Sequence, residues 1–384
     1  MGSVPGWATI CLLLTDIDVP AQTTGTNGVP PKFIGAMSCA STSCHGGGGE
    51  RRNQWLVWSL KDFHSQRPVA TLATARAKQM AISLHIGDPT TDTRCTACHA
   101  PLVAVPAAQR GEAFASEEGV SCECCHGPAQ NWLRAHTRPD WTQADRVAAG
   151  MRDLQNLYVR ANTCVACHQT VSGPLLQAGH PELMFELDGQ CAAEPRHWHE
   201  PASWNRAQAW YVGQAVALRE MSWQLAREPG SDNRLPGRWR ALVWLMQKLD
   251  GVDPALSGLE KITPEASPEN LLATQQAADA LARTAATSVT WNDELAQKAL
   301  ARLAGTAGDF AAGTDAGELP ARRAERLVLA LDRLLLAQKP APSGSRTANN
   351  LDELFKEAQS APDFRPADFA ATLIRFDTSL KSHP

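Results

Sequence analysis

From Ser203 to Glu228 the chain reads SWNRAQAWYVGQAVALREMSWQLARE, with apolar residues recurring at helical spacing until Pro229-Gly230. That pattern predicts one long helix with a sharp stop. GRWRALVWLMQKL predicts a second helix, and residues 251–268 read as a linker containing Pro and Gly. Pro268 at a first helical position opens a third helix, and Thr290-Trp-Asn-Asp293 reads as a capping box that opens a fourth. LPARRAERLVLALDRLLLAQ gives a fifth before the loop KPAPSGS, and two short helices finish the chain. No G-x-S-x-G, phosphate loop or H-E-x-x-H occurs in this half, so residues 203–384 read as a helical packing or docking region.

Before residue 203 the chain is organised by cysteine and histidine. Cys95-Thr-Ala-Cys98-His99, Cys122-Glu-Cys-Cys125-His126 and Cys164-Val-Ala-Cys167-His168 each spell C-x-x-C-H, the pattern of covalent haem attachment. With 11 Cys and 11 His in 384 residues, one chance match has a probability on the order of one in a hundred, and three cannot be accidental. On a helical turn, residues i, i+3 and i+4 share a face. Both thiols can reach the vinyl groups on one porphyrin edge while the following histidine swings under the iron. Zinc is the competing use of paired C-x-x-C, but zinc gives no reason for a histidine after every second cysteine.

Ser38 to Gly49, SCASTSCHGGGG, repeats the Cys-His ending with Cys44-His45, and Cys39 is the upstream thiol in reach. The extra residues of this C-x4-C-H tether, Ala40 to Ser43, are all small and suit a locally unwound loop. The glycines after His45 read either as a close approach of backbone to a porphyrin face or as a flexible loop. Four haem c groups follow, with thioethers at Cys39, Cys44, Cys95, Cys98, Cys122, Cys125, Cys164 and Cys167. The proximal iron ligands are then His45, His99, His126 and His168.

Together with NQWLVWSLKDFH, RCTACHAP, GVSCECCHGPAQNWLRAHT, AGHPELMFELDG and PRHW, these motifs resemble the cytochrome c-554 family of multihaem c-type cytochromes over roughly residues 35 to 200. The resemblance implies a mostly helical tetrahaem electron carrier with closely stacked, mainly bis-histidine haems. The best-known member relays electrons away from hydroxylamine oxidation and leaves one iron open. Larger relatives carry further haem motifs towards the C-terminus, and this chain has none after His168. The expected fold is mainly α: a leader over 1–30, a tetrahaem domain over 31–202 with few strands, and the helical region over 203–384.

Composition adds bounds. Residues 39 to 199 hold about 40 residues per haem, so porphyrins form much of the expected core. The formal net charge of −4 excludes the basic footprint of nucleic-acid binding and suits a redox partner with a positive patch. Eight of the 11 cysteines go to haem, which points to the periplasm or another space outside the cytoplasmic membrane. Cys11, Cys124 and Cys191 remain, and Cys124 reads as a small buried hydrophobe. Trp7 to Leu14 has signal-peptide length without a basic start. No run reaches the length of a bilayer span.

For the sixth ligands, His180 stands in Gly-His-Pro, where the proline restricts it, and His64, His136 and His197 match histidines in the family's words. His199 and His85 are reserves, His383 reads as solvated, and Met184 reads as a core residue. Two functional classes follow. One is an electron carrier between a redox donor and acceptor. The other is a reductase for a small nitrogen oxide at a five-coordinate haem, with the Cys95/Cys98/His99 haem as the candidate open iron. A third reading makes the chain an electron-transfer subunit of a larger, membrane-associated redox complex.

Overall fold

Short helices dominate the first half because glycine, proline and the attachment turns interrupt its apolar runs every few residues. The computed structural model describes residues 30–230, 232–311, 318–338, 342, 344–359 and 363–382. The expected leader up to residue 29, with Cys11, and the terminal His383 lie outside the described residues.

The first helices are α1 (Gln54–Lys61), α2 (Arg67–Leu72), α3 (Ala75–Ser83), α4 (Thr93–His99), α5 (Cys122–His126) and α6 (Gln143–Ala148). They are followed by α7 (Leu157–His168), α8 (Gly173–Gln177) and α9 (Leu187–Ala193). The longer helices come last: α10 (Arg206–Arg227), α11 (Leu235–Lys248), α12 (Pro268–Thr287), α13 (Asp293–Ala304), α14 (Gly308–Ala311), α15 (Leu319–Ala337), α16 (Arg346–Ala358) and α17 (Pro366–Lys381). Among the described residues the only β structure is an isolated parallel bridge between Phe33 and Arg110. The fold is mainly α. None of its described helices is long and apolar enough to cross a membrane.

Two compact units emerge. One comprises the chain up to Cys167 with Gly173–Glu182 and Cys191–Pro201. The other comprises His168–Ser172, Leu183–Gln190 and Ala202–Pro384.

In the first unit the helices are too short to be stable alone, yet they bury few of their own side chains. The eight residues of α1 bury Val57 and Trp58, α2 buries Leu72, and α3 buries Ala81. A small apolar cluster of Phe33, Leu102 and Val105 is joined by Phe114 and Cys124. Much of the tying is polar. The buried Glu123 carboxylate accepts backbone N–H bonds from Ile34 (2.9 Å), Gly35 (2.8 Å) and Ala129 (2.7 Å). Glu118 accepts from Ala36 N–H at 3.0 Å. Burial raises the pKa of both carboxyls, and the backbone donors oppose that rise. The contact demands glycine at residue 35, whose φ is +89° and where a Cβ would come within 2.0 Å of Ala113 O.

The second unit is packed by its own residues. Sixteen of the 22 residues of α10 are buried, among them Trp210, Tyr211, Leu218 and Met221. Trp239 is fully buried and donates its indole N–H to Ser222 Oγ at 2.9 Å. Pro268 does stand at the first turn of α12, with Ser267 as cap. The fourth helix differs from expectation. Asn292, not Thr290, caps α13 by accepting from Leu295 N–H, because the helix begins at Asp293 and Thr290 lies too far upstream. The expected linker is also packed: Val252, Leu256, Leu259 and Ile262 are buried, and Gln247 Nε2 donates to Leu259 O and Ile262 O.

At the centre of this unit, Glu186 accepts from Gln214 Nε2 at 2.9 Å and lies 4.0 Å from Arg326 Nη1. Burial pushes the Glu186 carboxyl up to about 7 and the Arg326 guanidinium down to about 10. Glu186 therefore holds its proton to higher pH in the folded chain than in the unfolded one. Between the ordinary carboxyl range and about pH 7 the folded state binds the extra proton, so stability falls as pH rises through that window. We expect Glu186→Gln to remove up to about 3 kcal/mol of that loss. Thermal unfolding of the two proteins between pH 5 and 8 checks it, and equal pH slopes would contradict it.

Candidate haem centres

Three attachment motifs sit on helices, as their spacing requires. Cys95, Cys98 and His99 occupy α4, whose cap Asp92 accepts from Arg94 N–H at 2.9 Å. Cys122, Cys125 and His126 form the whole of α5, which stops at Gly127 with φ +85°. Cys164, Cys167 and His168 make the last turns of α7.

The first motif is not helical. Cys39 ends a 310 turn, and Cys44 N–H then donates to Ser41 O (2.9 Å) and His45 N–H to Cys39 O (3.2 Å). The extra residues fold into this loop, which brings His45 back to its first cysteine. The glycines after His45 have a more local reason than approach to a porphyrin. A Cβ at Gly46 would lie 1.9 Å from Ala40 O, and one at Gly47 2.3 Å from Thr42 O, so both let the loop close on its own backbone. Gly48 and Gly49 face open space.

Histidines from distant parts of the chain face these motifs. The His45 and His136 rings have centroids 6.1 Å apart and planes inclined by 15°. The His99 and His180 centroids lie 6.4 Å apart, with planes inclined by 75°. Two imidazoles that held one metal through bonds of about 2.0 Å, with about 1.1 Å from each nitrogen to its ring centre, would have centroids about 6.2 Å apart. Both pairs have that separation. His99, the candidate for an open iron, is thus faced by an imidazole.

The other ring nitrogens orient these rings. His136 Nδ1 meets Leu133 O at 2.6 Å, His99 Nδ1 meets Pro68 O at 3.1 Å, and His180 Nδ1 meets Pro181 O at 2.8 Å. A carbonyl only accepts, so each Nδ1 carries the proton and each Nε2 keeps its lone pair for a metal. His45 Nδ1 meets Gln54 Oε1 at 3.0 Å, while the Gln54 amide nitrogen donates to Glu50 O. His64 Nδ1 donates to Asp62 Oδ1 at 3.0 Å, with Glu194 Oε1 at 3.8 Å. Its pKa is raised, first by the Asp62 hydrogen bond.

His126 is enclosed by protein, and burial pushes it down to about 4, with His197, His45, Arg152 and His136 adding positive neighbours. Burial likewise lowers His197, whose surroundings include Asp62, His64 and His45. These rings stay neutral at physiological pH, the form that binds metal. The reserves His85 and His199 are both exposed, and His85 has φ +53°.

The thiols also converge. Cys39 and Cys122 hydrogen-bond one another, which brings the first and third attachments side by side. Cys164 is surrounded by Cys191, Cys125, Glu194 and Arg160. Burial raises its pKa, and pushes that of the leftover Cys191 up to about 11. Paired imidazoles at metal-bridging separation, fixed tautomers and adjacent cysteine pairs fit haem c.

Sequence reasoning missed the supporting carboxylates. Glu123 lies inside the third motif and could have been singled out as an acid between attachment cysteines. Asp62, two residues before His64, carries the signal of a local turn. Glu194 has none.

Residues 38–127 match the family model described as cytochrome c554 and c-prime. The match takes in the first three attachment motifs, and the fourth motif lies beyond it. No curated protein and no solved structure matches the chain significantly. Residues 38–127 are thus similar to the cytochrome c554 family, and that match supports a haem-binding electron-transfer protein.

Proposed function

We propose that the chain carries electrons between a redox donor and acceptor through four haem c groups, each with iron between two histidines. The ring separations at His45/His136 and His99/His180 support this reading most strongly. Each haem, when bound, supplies a one-electron iron couple. The chain's own residues tether, ligate and shield. The eight motif cysteines hold the thioethers, and His45, His99, His126 and His168 are the proximal ligands. His136 and His180 complete the first two irons.

His126 takes His197, an imidazole among its neighbours that the other pairs leave over. The haem on Cys164 and Cys167 takes His64, because Glu194 lies beside both Cys164 and His64. With every iron saturated, the chain has the ligand supply of a carrier rather than of a reductase, which needs an open position. It works outside the cytoplasmic membrane, where thioether attachment takes place. Its formal charge of −4 favours partners with a positive docking patch.

Mass spectrometry of the denatured protein should find four covalent haems, the first on Cys39 and Cys44. Three haems with those two thiols unmodified would defeat the stretched-tether assignment. His136→Ala and His180→Ala should each keep full haem content while one iron becomes high-spin and binds carbon monoxide when reduced. An unchanged low-spin EPR spectrum in either variant would remove that histidine from the ligand set.

A further inference from the structure

His64 differs from His45, His99, His136 and His180 in what its second nitrogen touches. His99, His136 and His180 donate to backbone carbonyls, and His45 to a side-chain amide oxygen. All four acceptors are neutral. His64 donates to a carboxylate, Asp62 Oδ1, at 3.0 Å.

That carboxylate is held firmly. Its side chain is 1% exposed, and the same Oδ1 accepts the His64 backbone N–H at 2.8 Å. One oxygen therefore fixes both the backbone and the ring of His64. Asp62 N–H donates to Val57 O at 3.1 Å, anchoring the residue to the end of α1. Behind it stands Glu194, 3.8 Å from His64 Nδ1 and hydrogen-bonded to Asp62. Charge that is buried is screened far less than charge in water.

A carboxylate on the far nitrogen raises the basicity of an imidazole ligand. A more basic ligand favours ferric over ferrous iron and so lowers the potential. We propose that Asp62, backed by Glu194, is a positioning residue that makes the haem ligated by His64 the lowest-potential haem of the chain. The His64 haem is then the strongest reductant of the four. The inference rests on His64 being an iron ligand, as proposed above.

The test uses the haem-loaded protein and Asp62→Asn, which keeps the size and an acceptor oxygen but removes the charge. Spectroelectrochemical titration should show the lowest midpoint rising by at least ten-fold in its reduction equilibrium, about 59 mV for one electron, with the other three unmoved. Haem content and the low-spin EPR signal should stay as in the parent. Glu194→Gln should move the same midpoint in the same direction by less, and serves also if Asp62→Asn fails to fold. An unmoved lowest midpoint in the folded variants overturns the proposal, as does a shift confined to another haem. His64→Ala separates the two failures. If it leaves every iron low-spin, the ligand reading is wrong and the inference falls with it. If it yields a high-spin iron while the carboxylate variants move nothing, the ligand stands and the inference alone fails.

Discussion

Pairs of imidazole rings from distant stretches of chain, held about 6 Å apart, are the constraint on which the proposed site depends. The separations are 6.1 Å at His45/His136 and 6.4 Å at His99/His180. Each of these rings is fixed by a hydrogen bond from its outer nitrogen, and each partner belongs to a different stretch of chain. His136 follows the third attachment motif and His180 the fourth, so the ring pairs bring together distant segments. The carboxylates do similar work. Glu123 gathers three backbone N–H groups, binding residues 34–35 to the helix that carries the third motif. Replacing it would strand those donors in a buried setting, where an unmet polar group costs about 1–3 kcal/mol.

The two units solve the burial problem differently. Helices of the second unit bury long aromatic and aliphatic runs against each other, as in α10 and α11, whose Trp210 and Trp239 have no measurable exposure. Those of the first unit are five to twelve residues long and leave Leu60 and Ile82 exposed. Helices of that length need tertiary support. Porphyrins attached at the motifs, with their large apolar faces, would supply it under the proposed function.

Much of this was legible in the sequence, and the reasons are physical. C-x-x-C-H is local: attachment needs three side chains on one turn, so spacing alone reveals it. The helices after residue 203 were legible because a 3.6-residue apolar period survives over many turns. Pairings were harder. Nothing in the spacing joins His45 to His136, since ligation across an iron depends on where loops return. The approach of His180 to His99 was equally hidden, since His180 comes back from 81 residues downstream to face it. The cap of α13 moved from Thr290 to Asn292 because both residue types can cap and only the helix start decides between them. The role of Gly46 and Gly47 was mistaken in scale, since the close approach they permit is to their own loop. Asp62 and Glu194 were invisible as a pair, being far apart in the chain.

The central claim is that iron lies between these imidazoles. Crystals of the haem-loaded protein, measured at the iron absorption edge, test it directly. The account predicts four anomalous peaks, one between His45 and His136 and one between His99 and His180, each about 2 Å from an Nε2 on either side. Fewer than four peaks, or an iron at either pair with an imidazole on one side only, would contradict it.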